Sequence, residues 1–109
     1  MGTEFLGSLE HIVLLALVRL HDNAYGMTVR REIESRTGRD ISIGAIYATL
    51  ERLESKGLVT SQVGKPTAER GGRAKRMFTV EAKGHKALRI SQEALRRMSS
   101  GLRARLETA

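Results

Sequence analysis

Side chains that could do covalent or metal chemistry are few in this sequence, and they are poorly spaced for it. The three histidines, His11, His21 and His85, lie far apart, and no cysteine is present. The segment ERGGRAK at 69–75 misplaces the second glycine and the Lys-Ser/Thr pair that a phosphate-binding loop requires. Without cysteine, disulfides and thiolate metal sites are excluded, which fits a reducing compartment. The sequence therefore predicts no enzyme, no cofactor and no metal site.

The chemistry that the sequence does offer is the binding of anions. The net charge is +7 over 109 residues, and residues 41–109 contain fourteen Lys and Arg against six Asp and Glu. Such a basic region suits a polyanion such as nucleic acid, although an ordinary solvated surface has the same composition. The cations are densest in one Gly-rich segment, where they are Lys65, Arg70, Arg73, Lys75 and Arg76.

Hydrophobic periodicity predicts the elements that position these charges. The predicted order is helices at 8–20, 27–38 and 43–56, strands at 58–63 and 76–80, and a long helix from about 82 to about 105. Ser42 is the expected N-cap of the third helix and Gly57 its expected left-handed end. Ser8 is the expected N-cap of the first. The basic Gly-rich segment becomes the tip of a hairpin, and the whole pattern is that of a winged helix-turn-helix.

The third predicted helix has a small outer face for so charged a chain. Its apolar stripe consists of Ile43, Ile46, Leu50 and Leu53, and its opposite face holds Gly44, Ala45, Ala48 and Arg52, with Tyr47 and Thr49 at the edges. Small side chains let a helix approach a surface closely, and the major groove of B-DNA admits an α-helix. Alanine is also the best helix former, so a small face alone is compatible with having no function.

Two regions have more apolar surface than one small chain needs. A repeat of seven residues in the last helix forms a seam of Leu88, Ser91, Leu95, Met98 and Leu102, and the first helix, with Leu9 and Val13, is apolar nearly all round. We expect these residues to form a homodimer interface. The alternative is that the seam packs within its own chain.

Three stretches of the sequence resemble the PadR-like transcriptional regulators. They are AYGMTVRREIESRTG at 24–38, ISIGAIYATLERLESKGLV at 41–59, and ERGGRAKRMFTVEAKGHKAL at 69–88. The resemblance implies a cytoplasmic bacterial homodimer, usually a repressor, that binds a pseudo-palindromic operator in double-stranded DNA. Its C-terminal helix would pack against the partner's C-terminal and first helices.

The resemblance also implies roles for individual residues. Ser42, Tyr47 and Thr49 would be polar contacts of the recognition helix, and Arg73, Lys75 and Arg76 would be contacts of the wing. Ala48 departs from the proline that is frequent in the family, and Glu81 departs from the usual threonine. The predicted fold class is mainly α with a small β-hairpin: a winged helix-turn-helix at 1–80 and a dimerisation helix at 81–109.

Two other functions remain compatible with the sequence. Some relatives bind small molecules between their subunits, so a ligand-gated sensor is one alternative, although no aromatic residue follows Phe78. A winged helix used for protein contacts is the other, against which the basic tip argues. No signal peptide is visible, and the apolar run at 11–18 is far shorter than the ~20 residues that cross a bilayer, so we expect it to form a core helix.

Overall fold

The computed structural model describes residues 5–64 and 75–108. Its elements are α1 (Ser8–Leu20), a 3-10 turn (His21–Asn23), α2 (Gly26–Thr37), α3 (Ile43–Ser55), β1 (Val59–Val63), β2 (Arg76–Val80), α4 (Ala82–Ser99) and α5 (Arg103–Thr108). This order confirms the predicted mainly α fold with one small hairpin. Within the described ranges, none of the helices is both long enough and apolar enough to cross a membrane.

Helices α2 and α3 form the helix-turn-helix, and local turn chemistry sets their junction. Gly38 ends α2 in the left-handed conformation with φ of 71°, which glycine adopts without steric cost. Arg30 of α2 then holds the link, because its Nε donates to the Ile41 carbonyl at 2.9 Å. The Ser42 hydroxyl accepts from the Ala45 N–H at 3.1 Å, which confirms Ser42 as the N-cap of α3.

The core is aliphatic and lies between α1, α2, α3 and the hairpin. Ile46, Leu50 and Leu53 of α3 are fully buried, as their spacing predicts. They pack with buried residues from α1, α2, β1 and β2, namely Val13, Leu14, Leu17, Val29, Ile33, Val59 and Phe78. Burial of this stripe fixes which side of α3 faces outward.

The hairpin is antiparallel and attaches to the turn that precedes α2. Its register pairs Val59 with Val80 and Val63 with Arg76. Phe78 is buried, and its backbone N–H donates to the Ala24 carbonyl at 2.8 Å. The base of the hairpin is therefore fastened to the helix-turn-helix by both a backbone hydrogen bond and a core side chain.

The first half of α4 packs on the winged unit, so part of the predicted dimer seam is internal. Leu88 and Ser91 are buried within the chain, and the Ser91 hydroxyl accepts from the Leu6 N–H at 3.3 Å. Val13 is likewise fully buried in the core. The assignment of these three residues to a dimer interface is therefore wrong, because their own chain already covers them.

Two predicted boundaries also differ from the structure. The long helix does not continue to residue 105, because α4 ends at Ser99 and Gly101 turns the chain with φ of 80° before α5 begins. At the other end of the chain, Ser8 is the first residue of α1 and Gly7 is its N-cap. Glycine has no side chain to cap with, and the Glu10 carboxylate instead accepts from the Gly7 N–H at 2.9 Å.

Candidate nucleic-acid interface

The outward face of α3 is open and nearly free of long side chains. Gly44 and Ala48 are exposed and Ala45 is half-buried. A Cβ atom added at Gly44 would meet no other atom within 4 Å. The exposed Ser42 precedes these residues at the N-terminus of the helix. The structure thus brings Ser42, Gly44, Ala45 and Ala48 together on one accessible surface. Side chains this small would let the helix backbone come close to the floor of a groove.

Tyr47 is exposed at the edge of this surface, and packing fixes its ring. The ring lies against Gly26, the first residue of α2, where an added Cβ would approach the Tyr47 Cζ to 2.4 Å. Tyr47 therefore contacts Gly26 through its ring while 38% of the residue stays exposed.

Thr49 does not belong to the outward face, and its prediction as a DNA contact is wrong. It is fully buried, and its hydroxyl donates to the Ala45 carbonyl at 2.8 Å. The same hydroxyl accepts from Nη2 of Arg52 at 3.1 Å. This side of α3 faces the core, so Thr49 cannot reach DNA. Its hydroxyl instead helps to hold the Arg52 guanidinium.

Arg52 and Lys56 at the end of α3 are tied to a buried carboxylate of α1. Lys56 Nζ lies 2.8 Å from Oε2 of Glu10, and Arg52 Nε lies 3.9 Å from the same oxygen. Burial alone would raise the pKa of Glu10, but the hydrogen bonds from Lys56 and the Gly7 N–H and the charges of Lys56 and Arg52 together lower it. Arg52 remains half-exposed, with its guanidinium on the side of α3 nearest α1.

The base of the wing brings two of the predicted basic residues beside α2 and α3. Lys75 Nζ donates to the Tyr25 hydroxyl at 3.1 Å and lies 4.4 Å from the centroid of that ring. Arg76 Nη2 lies 2.9 Å from Oε1 of Glu54 on α3. The other predicted wing contacts, Arg70 and Arg73, lie outside the described residues, as do the rest of 65–74.

A concavity of about 420 Å³ separates the exposed side of α3 from the base of the wing. Glu51, Glu54 and Ser55 form its helical wall, and Arg76 forms the wall on the hairpin side. The C-terminal half of α3 and Arg76 at the wing base therefore face each other across this groove.

The remaining predicted dimer residues are distributed over both ends of the chain. Leu95 and Met98 on the second half of α4 are 59% and 78% exposed. Leu102 follows in the turn before α5 and is half-buried, as is Leu9 on α1. Ile12 and Val18 add exposed apolar surface to α1.

Sequence reasoning missed Glu10 and Glu54. Glu10 could have been noticed as the one acid within the apolar first helix, because a buried carboxylate requires partners. Glu54 gave no such signal, since its partner Arg76 is 22 residues away and the stretch around it reads as an ordinary solvated helix end.

Taken together, a helix-turn-helix, an open outer face on α3 and an adjoining hairpin define the winged-helix DNA-binding fold. The model of the transcriptional regulator PadR-like family matches residues 14–90. The chain belongs to the PadR-like family, which confirms the resemblance found in the sequence, and the family consists of transcription regulators rather than enzymes.

Individual relatives agree with this assignment. The transcriptional regulator Rv3488 of Mycobacterium tuberculosis H37Rv is 35% identical over 91 residues, which covers 77% of this chain and 80% of the relative. A PadR family transcription regulator from Clostridium difficile R20291 superposes with a TM-score of 0.75 at 21% identity, over 92% of this chain and 99% of that one. F93 from STIV, a winged-helix DNA-binding protein, gives 0.69 at 19% identity, over 90% and 98%. These two structures are similar in fold.

Proposed function

We propose that this PadR-like regulator acts in the bacterial cytoplasm as a homodimeric repressor that binds a pseudo-palindromic operator. The observation that carries the proposal is the open face of α3, where Gly44 and Ala48 are exposed. In helix-turn-helix proteins the N-terminal residues of the second helix reach the base edges. A smooth N-terminal half of α3 can approach the floor of the major groove without steric hindrance.

The contacts fall into two kinds. Ser42, Gly44, Ala45, Tyr47 and Ala48 form the surface that enters the groove. Since few of them have long side chains, part of the specificity comes from DNA shape. The wing cations Lys75, Arg76, Arg70 and Arg73 supply phosphate contacts, which position the protein but carry no sequence information. Arg52 has a smaller part than its length alone suggests, because Thr49 holds its guanidinium.

Dimerisation uses the half of α4 that the chain leaves uncovered. Leu95 and Met98 are exposed on α4, Leu102 is half-buried in the turn after it, and Leu9 is half-buried on α1. Residues 1–80 then form the DNA-binding unit, and 81–109 form the dimerisation unit. A two-fold dimer that reads successive major-groove turns holds its two α3 helices about 34–36 Å apart.

Selection of binding sites from random duplex DNA at two salt concentrations tests this function. We expect enrichment of a pseudo-palindrome whose half-sites are about one helical turn apart, with affinity that falls steeply as salt rises. Equal binding of selected and scrambled duplexes would contradict the proposal.

The contribution of the wing is tested by Lys75→Ala. Each lost phosphate contact should reduce the slope of log affinity against log salt by about one unit. Arg105→Ala, at an exposed position of α5, is the matched control and should leave the slope unchanged. An unchanged slope in Lys75→Ala would mean that this lysine does not contact the DNA backbone.

A ligand-responsive regulator is the second candidate, because a concavity of about 470 Å³ runs along α4. Arg89, Ile90, Glu93, Ala94 and Arg97 line it, so aliphatic and charged groups of one helix face form its floor and no aromatic ring does. Its occupant would be an amphipathic molecule. Titration of amphipathic carboxylates into the protein–operator complex tests this function, with release of the DNA as the expected result and no release at millimolar ligand as the contrary one.

A further inference from the structure

Arg76 is held at the wing base by residues from two other elements. Its Nη2 donates to Oε1 of Glu54 at 2.9 Å, and its Nε donates to the Ser61 hydroxyl at 2.8 Å. The Ser61 hydroxyl in turn donates to Oε2 of Glu54 at 2.7 Å. Each of the three side chains contacts the other two, so the cluster joins α3, β1 and β2 in a closed triangle.

The strand register explains why these residues meet. Val63 pairs with Arg76 and Ser61 pairs with Phe78, and alternate residues of a strand share a face. Ser61, Arg76 and Phe78 therefore lie on the side of the hairpin that packs on the core. The Arg76 guanidinium lies over the Phe78 ring, 5.7 Å from its centroid, so the ring also helps to hold the guanidinium in place.

The ion pair is also partly shielded from solvent. The Glu54 and Arg76 side chains are 32% and 48% exposed, whereas those of Arg103 and Glu107 on α5 are 88% and 64% exposed. Three hydrogen bonds and this partial burial give the cluster a fixed geometry that an isolated surface pair lacks.

We propose that Glu54 is a positioning residue for DNA recognition: through Arg76 and Ser61 it fixes the angle between the wing and the recognition helix. The inference rests on the proposed function. A wing fixed at one angle lets α3 and the wing contact DNA together only where the groove has the matching shape. Glu54 thereby contributes to the preference for the operator over other DNA without contacting a base.

Loss of Glu54 has two opposite consequences. The Arg76 side chain becomes free to meet any phosphate, the hairpin base loses one of its attachments to α3, and one negative charge leaves the surface that faces DNA. Binding to non-specific duplex is therefore retained or strengthened. Binding to the operator loses its preorganised geometry. The ratio of operator to non-specific affinity is therefore the quantity that reports on positioning.

Glu54→Gln should lower this ratio about fivefold while the melting temperature stays within a few degrees of the parent. Affinities are measured by fluorescence anisotropy for the selected fragment and for a scrambled duplex of equal length. Glu51→Gln is the matched control, because it removes the same charge from the same wall of the concavity without touching Arg76. It should raise both affinities alike and leave the ratio unchanged. If Glu54→Gln behaves in the same way, the positioning role is refuted.

Ser61→Ala provides a second test that leaves the charge unaltered. It deletes two of the three hydrogen bonds of the cluster and should lower the ratio in the same direction as Glu54→Gln. An unchanged ratio in this variant would also overturn the proposal, even if Glu54→Gln did not fold.

The charge-swapped double variant Glu54→Arg/Arg76→Glu separates positioning from direct contact. The serine hydroxyl can still accept from the new arginine and donate to the new glutamate, so the ratio should return to within about twofold of the parent. Failure of the swap to improve on the ratio of Glu54→Gln would refute the positioning role. If the parent itself shows no preference for the selected fragment, the proposed function fails instead.

Discussion

On the N-terminal half of α3 the exposed residues are mostly small, and two longer side chains of the helix, Tyr47 and Arg52, already contact other residues. Gly44 and Ala48 face solvent, whereas Tyr47 lies against Gly26 and Arg52 is held by Thr49. A surface of this kind offers a binding partner shape more than hydrogen-bonding groups. We therefore expect the volume of a substituted side chain to decide whether this surface can still approach DNA.

Ala48→Leu should abolish specific binding without disturbing the fold. Position 48 is exposed, so the larger side chain costs little stability, but it separates α3 from the groove floor. We expect a loss of operator affinity of at least about tenfold by anisotropy, since displaced base contacts cost about 1–3 kcal/mol each. Ala104→Leu on the exposed α5 is the control and should bind as the parent does. Unaltered operator affinity in Ala48→Leu would exclude α3 from the groove.

The buried Glu10 carboxylate should make stability depend on pH. Its pKa is lowered in the folded chain, so its ion pair with Lys56 contributes stability above the ordinary value of 4.5, and this is lost as the pH falls below that value. Glu10→Gln should be less stable than the parent by about 1 kcal/mol at pH 7, and the difference should shrink toward pH 3. Thermal melts at both pH values measure it.

Glu107→Gln removes an exposed carboxylate from the ion pair with Arg103 and is the control for that experiment. It should change the melting temperature little at either pH. A difference between Glu10→Gln and the parent that grows toward pH 3 would contradict the assigned role of Glu10.

At the scale of elements, the hairpin base contacts both the turn before α2 and the start of α4. Phe78 joins it to the turn before α2, and the Glu81 N–H donates to the Leu58 carbonyl at 2.9 Å where α4 begins. Gly84 follows one turn later, so close to the hairpin that an added Cβ would lie 2.3 Å from the Leu58 carbonyl oxygen. Glycine at this position permits the close packing of α4.

Gly84→Ala should therefore destabilise the chain although alanine favours helices. The clash is with backbone and cannot be relieved by a rotamer change, so we expect a cost of about 1–3 kcal/mol in the free energy of unfolding by urea titration. Gly44→Ala, where the added Cβ meets nothing, is the matched control and should gain up to about 1 kcal/mol. Equal effects of the two substitutions would refute the close contact.

At the scale of the whole molecule, the chain covers one half of α4 and leaves the other open. Leu88 and Ser91 are buried, whereas Leu95 and Met98 on the following turns are exposed together with Ile12 and Val18 of α1. Exposed apolar residues that lie on neighbouring elements indicate an interaction surface. A second copy of the chain is the occupant that the proposed function requires.

Leu95→Glu should give a monomer, because a carboxylate in an apolar interface cannot be buried without a partner. Light scattering at micromolar concentration should fall from the mass of two chains to that of one, and operator affinity should fall with it. Lys86→Glu places a carboxylate on the opposite side of α4 and should leave the dimer intact. A Leu95→Glu protein that stays dimeric would place the interface elsewhere.

The elements of this protein could be predicted from its sequence because their signals are short-range. Each signal spans only a few residues: the Ser42 cap, the stripe of Ile46, Leu50 and Leu53, and the alternation in β1 and β2. Together they determine the helix-turn-helix, the hairpin and the small outer face of α3.

Tertiary structure alone decided which side chains those elements leave available. Thr49 and Leu88 are buried within the chain, and Glu54 of α3 forms an ion pair with Arg76 of β2. Glu10 likewise forms an ion pair with Lys56, which is 46 residues away in the chain. A periodicity tells which residues share a face, but which neighbour covers that face depends on how the elements pack, and packing is determined by contacts between segments far apart in the chain.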